Sequence, residues 1–137
     1  MTVLTGDAAE TSTWTPGLEF GGGNVGMTEA NEGWYRKEGS LIHAWGVLSL
    51  TTKGSSTGTA TITGLPYTSA TRALAGVGAP GGMWTMANLG GTVTFWVGSA
   101  STTINLRDTA TVGSYNLDDT NFANGSLIYF SISYEAA

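Results

Sequence analysis

TTKGSSTGTATITGLPYTS, residues 51–69, is the stretch on which the fold turns. A lysine stands beside glycines and hydroxyls, as it would in a loop that cradles phosphate. Such a loop needs G-x-x-x-x-G-K-[ST] between a strand and a helix, so that backbone amides and the helix N-terminus meet the anion. Here the order is Lys53-Gly54, and TATIT follows with the alternation of a strand and no helical period. The stretch therefore reads as a hairpin loop. Lys53-Gly54-Ser55-Ser56 turns, TATIT returns, and Gly64-Leu65-Pro66 closes into the next loop. GGG at 21–23 and APGG at 79–82 also lack a helix behind them and read as turns.

The same punctuation extends in both directions. SLIHAWGVLSL (40–50) is the longest strand pattern. Leu41, His43, Trp45 and Val47 fall on one face, and Ile42, Ala44, Leu48 and Leu50 on the other, which predicts a central strand packed on two sides. Upstream, TWTPGLEF (13–20) is extended, with Pro16 at an edge or bend. MTEANEGWYRKEG (27–39) is extended with an irregularity near Gly33. Downstream, TRALAGV (71–77) and MWTMANL (83–89) read as strands, and GTVTFWVG (91–98) with TTINLR (102–107) as a hairpin across Ser99-Ala100-Ser101. NFA (121–123) and SLIYFSISYE (126–135) flank Asn124-Gly125, a type I′ hairpin signal because both central residues need positive φ. About nine short strands and no helix predict an all-β antiparallel β-sandwich or jelly roll over residues 13–137. Residues 1–12 are small, polar and acidic, and read as a flexible or partner-bound arm.

Composition narrows the function classes. The 137 residues fit one domain. Charged residues are only 11% of the chain, against about 25% in typical globular domains. With 22 Thr, 12 Ser and 21 Gly, the polar surface is hydroxyl-rich sheet, or part of the surface is covered by a partner. A net charge of −5 with five scattered basic residues leaves no patch to neutralise phosphates, which argues against nucleic acid. There is no cysteine for disulfides or thiolate zinc sites. No apolar run approaches the roughly 20 residues of a membrane span, and MTVLTGDAAETS lacks the basic cap and apolar core of a secretory signal.

Catalytic patterns fail in turn. His43 is the one histidine, and it sits in an apolar strand as a core or interface residue. Glu29 and Glu32 are three apart, on opposite faces of a strand. Asp118 and Asp119 are adjacent in a turn. Neither set makes the acid/base pair of a glycosidase. Asp118 and Asp119 carry the oxygen ligands that calcium takes, but without EF-hand spacing. No catalytic residue, metal or cofactor is expected. Five tryptophans remain, of which Trp84, beside Gly81-Gly82, reads as loop-borne. Trp84 and Tyr67 are the candidates for partner or glycan contact, since exposed aromatics serve sugar stacking and protein interfaces alike.

Trp14-Thr15-Pro16, Gly33-Trp34-Tyr35, Lys53-Gly54, Gly64-Leu65-Pro66 and the terminal SLIYFSISYEA together resemble a β-sandwich module recurrent in tailed-bacteriophage virion proteins. The likeness covers nearly the whole chain after residue 12. It implies a compact, usually trimeric structural unit of tail fibres, tailspikes or capsid surfaces, and carries over no catalytic residue. The short lead before the module favours a capsid decoration (cement) protein, a homotrimer stabilising the shell through the major capsid protein. On that expectation Thr2, Val3, Leu4, Asp7 and Glu10 of the arm contact the capsid surface of the virion. The alternative is the receptor- or carbohydrate-binding tip of a tail fibre. Neither implies nucleic acid or membrane as a partner.

Overall fold

A computed structural model of the chain describes residues 11–109 and 115–137. Among them are strands β1 (Ser12–Trp14), β2 (Gly17–Phe20), β3 (Thr28–Glu29), β4 (Glu32–Glu38), β5 (Leu41–Thr52) and β6 (Ala60–Thr63). β7 (Gly76–Trp84), β8 (Thr92–Val97), β9 (Ile104–Thr109), β10 (Tyr115–Asn116) and β11 (Leu127–Glu135) follow, with one 3₁₀ turn at Asp119–Asn121. The fold is all-β, antiparallel and of the sandwich type. Thr2, Val3, Leu4, Asp7 and Glu10 lie outside the described residues. The ladder begins at Ser12, which pairs with Tyr35, and Arg36 Nε donates to Thr11 Oγ1 at 3.2 Å.

Period-two alternation sorts each long strand into an inward and an outward row. β5 buries Ile42, Ala44, Leu48 and Leu50, and β11 buries Ile128, Phe130, Ile132 and Tyr134. β8 and β9 add Val93, Phe95, Val97, Ile104 and Leu106 to the same core. Phe130 sits near its middle, edge-on to Trp14 at 6.0 Å and tilted against Phe95 at 5.9 Å.

The strands form one continuous sheet in the order β1-β4-β5-β11-β7-β8-β9-β6-β2, with β3 on β5 and β10 on β9. The sheet's two ends, β1 and β2, are consecutive in the chain, separated only by Thr15 and Pro16. A flat sheet cannot meet that constraint; this one must roll until its ends adjoin. Side chains fasten the seam. Leu18 N–H, on the outer end strand β2, donates to Glu29 Oε1 at 2.9 Å. Asn31 Nδ2 donates to the same oxygen at 2.8 Å and to the Pro16 carbonyl at 3.0 Å. Asn31 Oδ1 in turn accepts the Ser49 N–H of β5 at 2.9 Å. Glu29, considered above as half of an acid/base pair, is thus a structural clasp between the two ends.

Several local expectations are corrected. Residues 53–59 do not form a hairpin, because β5 pairs with β3, β4 and β11 while β6 pairs with β2 and β9. The segment crosses between the two halves and packs on the 21–26 loop, with Ser55 N–H donating to Val25 O and Val25 N–H to Ser56 Oγ, both at 2.9 Å. Gly54 has φ +82°, and a Cβ there would lie 2.2 Å from Val25 O, so glycine is required. APGG is no turn but the middle of β7. β8 covers β7 only over Gly76–Gly78, so Pro80, paired with Phe130 on the β11 side, leaves its missing N–H on an open edge where proline is tolerated. Asn124-Gly125 lies in a turn closed by Ser126 N–H to Ala123 O, but NFA is no strand, since Asn121 ends the 3₁₀ turn.

Candidate functional site

The outward rows of β4, β5, β11 and β7 build the most distinctive surface of the described residues. Register places Trp34 directly beside Trp45, and Trp45 beside Ser131 and then Ala79. One row along, Val47 faces Tyr129, which meets Trp84 edge to face at 4.9 Å. At the other end His43 pairs with Ser133, and Ser133 with Val77. Cross-strand neighbours sit about 4.5–5.5 Å apart, so these side chains form one sheet face rather than scattered contacts.

That face is uncovered. Tyr129 is 47% exposed, Trp84 48% and Val77 58%, with Trp34, Trp45 and Val47 half-buried beside them. β5 is therefore central in the sheet, as its length implied, but packed on one side only. Its second apolar face, the Leu41, His43, Trp45 and Val47 row, is open to solvent. His43 is exposed and shares a 2.8 Å hydrogen bond between Nδ1 and Ser133 Oγ, which rules out the core reading. The middle of the face carries no charge, while Glu32, Arg36 and Glu38 along β4 give its rim both signs.

The two residues singled out from sequence are not brought together. Trp84 ends strand β7, opposite Leu127 at the start of β11, and so is strand-borne rather than on a loop. Tyr67 lies by the far end of β11. Its N–H donates to Tyr134 Oη at 3.1 Å, and the Tyr134 hydroxyl donates back to the Tyr67 carbonyl at 2.9 Å. Seven residue steps of strand, about 23 Å at 3.3 Å per residue, separate Leu127 from Tyr134, so no groove holds both rings. Tyr67 packs on Tyr35 at 5.7 Å, with Lys37 Nζ 5.6 Å from its centroid. Burial pushes the Tyr134 hydroxyl up to about 12.

Sequence reasoning missed Tyr129, Trp45 and Trp34 as one surface. Alternation assigns each to the outward row, but only the pairing of β4, β5 and β11 makes them neighbours. The carboxylates considered for catalysis are dispersed. Glu29 is in the clasp, and Glu32 is exposed on β4. Asp119 accepts the Gly58 N–H at 2.8 Å and lies 4.0 Å from Lys53 Nζ.

Among solved structures, the chain is similar to the crystal structure of Dettilon tailspike protein. The TM-score is 0.77 at 15% sequence identity, over 93% of this chain and 24% of that one. Likeness at that identity is likeness of fold, and it extends over almost all of the rolled sheet. No family model matches the chain, and no curated protein matches it.

Proposed function

We propose that this chain is a structural component of a bacteriophage virion, with the uncovered aromatic sheet face as its assembly surface. The observation that carries the reading is that face: tryptophan, tyrosine and valine side by side, neutral at the centre, with a rim of mixed charge. Interface cores have this composition, rich in Trp and Tyr and poor in charge, and large exposed apolar patches mark interaction sites. The fold shared with a tailspike protein and the virion-module motifs support the same class.

The occupant of the face is a second and third copy of the chain. Chains of net charge −5 repel one another, and association is easiest through a neutral surface. A homotrimer of this kind, seated on the outer capsid surface and bridging major capsid subunits, acts as a decoration (cement) protein. Binding only the assembled shell stabilises that state by mass action. On this reading the chain is not an enzyme. Immunogold labelling of intact virions tests the placement, with label expected over the whole capsid.

The tailspike likeness favours a second reading, a module of a tail fibre or tailspike that presents aromatics to a glycan receptor. Label confined to the tail, together with glycan-array binding lost on Trp84→Ala, supports it and overturns capsid decoration.

A further inference from the structure

The inward row of β9 runs Ile104, Leu106, Asp108. A carboxylate thus occupies the place where alternation calls for an apolar side chain. Asp108 is only 6% exposed. Its Oδ2 accepts the Gly90 N–H at 2.7 Å, while Oδ1 is buried with no hydrogen-bond partner among the described residues. A desolvated carboxylate oxygen without a donor is costly and calls for a ligand or a role.

Asp108 lines a cavity of about 450 Å³ shared with Asn88, Tyr115, Asn116, Asp118 and Asn121. Asp118 commits Oδ1 to the Thr120 N–H at 2.9 Å and the Thr120 hydroxyl at 2.5 Å. Asn121 is held by its own bonds, donating Nδ2 to the Ala87 carbonyl at 2.9 Å and accepting the Asp118 N–H at 2.9 Å. The wall is therefore rigid and rich in oxygen. Among the described residues, two carboxylates and no lysine or arginine line it. Arg107, next in sequence to Asp108, points to the other face of the sheet, where its guanidinium lies 5.8 Å from the Trp96 ring centroid.

We propose that this cavity binds a hard divalent cation of the calcium type, through the carboxylates of Asp108 and Asp118. Asparagine oxygens and water complete the shell. Among the described residues no three His, Cys, Asp or Glu side chains converge, which disfavours zinc-type coordination, whereas calcium accepts amide, carbonyl and water oxygens alongside few carboxylates. The pair Asp118–Asp119 considered from sequence is replaced by Asp108–Asp118, because Asp119 turns away to Gly58 and Lys53. The proposal is independent of the virion reading.

The test is calcium titration of the full chain, by calorimetry and by thermal melts in calcium against EDTA. A two-carboxylate site predicts a Kd of about 10⁻⁴–10⁻³ M. At a tenfold excess over Kd, the melting temperature rises by about 3–6 °C. Terbium, a luminescent calcium surrogate, gains emission on tyrosine excitation because Tyr115 lines the cavity. Asp108→Asn and Asp118→Asn each weaken calcium binding at least about tenfold, and Asp119→Asn leaves it unchanged. Asp118→Asn carries the test if Asp108→Asn does not fold. No calcium response in the wild-type chain, or a response that survives Asp118→Asn, overturns the proposal.

Discussion

Asn31→Ala is the sharpest test of how the sheet closes. The Asn31 side chain makes three hydrogen bonds, to the Pro16 carbonyl, to Glu29 Oε1 and from the Ser49 N–H, at 3.0, 2.8 and 2.9 Å. Together they tie β2 at one end of the sheet to the β3 and β5 side. A typical bond of this kind contributes about 0.5–1.5 kcal/mol net, and one to a charged group about 1.5–3 kcal/mol. Asn31 is half-buried, so water replaces part of what is lost, and the expected destabilisation is about 2–4 kcal/mol. For a domain of this size each kcal/mol lowers the melting temperature by about 2–4 °C, so the fall is about 4–16 °C. Urea unfolding monitored by tryptophan fluorescence gives the free energy directly. Asn31→Asp separates bonding from bulk: it keeps the acceptor for Ser49 but sets a second carboxylate against Glu29, and should cost at least as much as alanine. Asn24→Ala, an exposed change on the 21–26 loop, should stay within about 0.5 kcal/mol of wild type. If Asn31→Ala did the same, the seam would be held by backbone packing alone and the clasp would be incidental.

Three further outcomes follow from the geometry. Gly33→Ala should destabilise by about 1–3 kcal/mol and change the near-ultraviolet signal of the tryptophans, since a Cβ there lies 2.6 Å from Trp14 Nε1; an unchanged spectrum and midpoint would contradict the packing of that indole. Tyr134 should ionise near pH 12 in an absorbance titration, above the ordinary tyrosine value. Its folded value is raised above the unfolded one, so the folded state retains that proton longer; the contribution is full below about pH 10 and lost as pH rises to about 12. Tyr134→Phe should remove that loss of stability. Tyr129→Glu, on the exposed sheet face, should leave the monomer folded by circular dichroism while abolishing self-association seen by light scattering.

Much of the architecture was legible because alternation is strong where one face is buried. The apolar alternation in 41–50, 92–97 and 127–135 marks the strands that carry the core, and the β8–β9 hairpin appears where Ser99-Ala100-Ser101 breaks the pattern. Pairing was less legible. Loop 53–59 looks local, yet what sets its path is the distant partner of each flanking strand. APGG at 79–82 reads as a turn because glycine and proline usually end strands. In β7 the lack of bulk at glycine lets the strand approach β11: a Cβ on Gly78 would fall 2.1 Å from Ser131 O. The candidate face was half visible. Alternation puts Val47 and Trp45 on one side of a strand, but their exposure depends on the absence of a second layer over that side among the described residues. Asp108 had a signal that could have found it, a carboxylate two residues beyond Leu106 in the inward register. Ending the strand at Arg107 hid it.

Sedimentation equilibrium of the full chain reads self-association itself, because an aromatic sheet face that serves assembly must be covered in solution. The expected species has three times the 14.1 kDa chain mass and is reduced to the monomer by Tyr129→Glu. A wild-type chain that stays at the monomer mass up to about 100 μM, where contacts with Kd near 1 μM would be saturated, would contradict it.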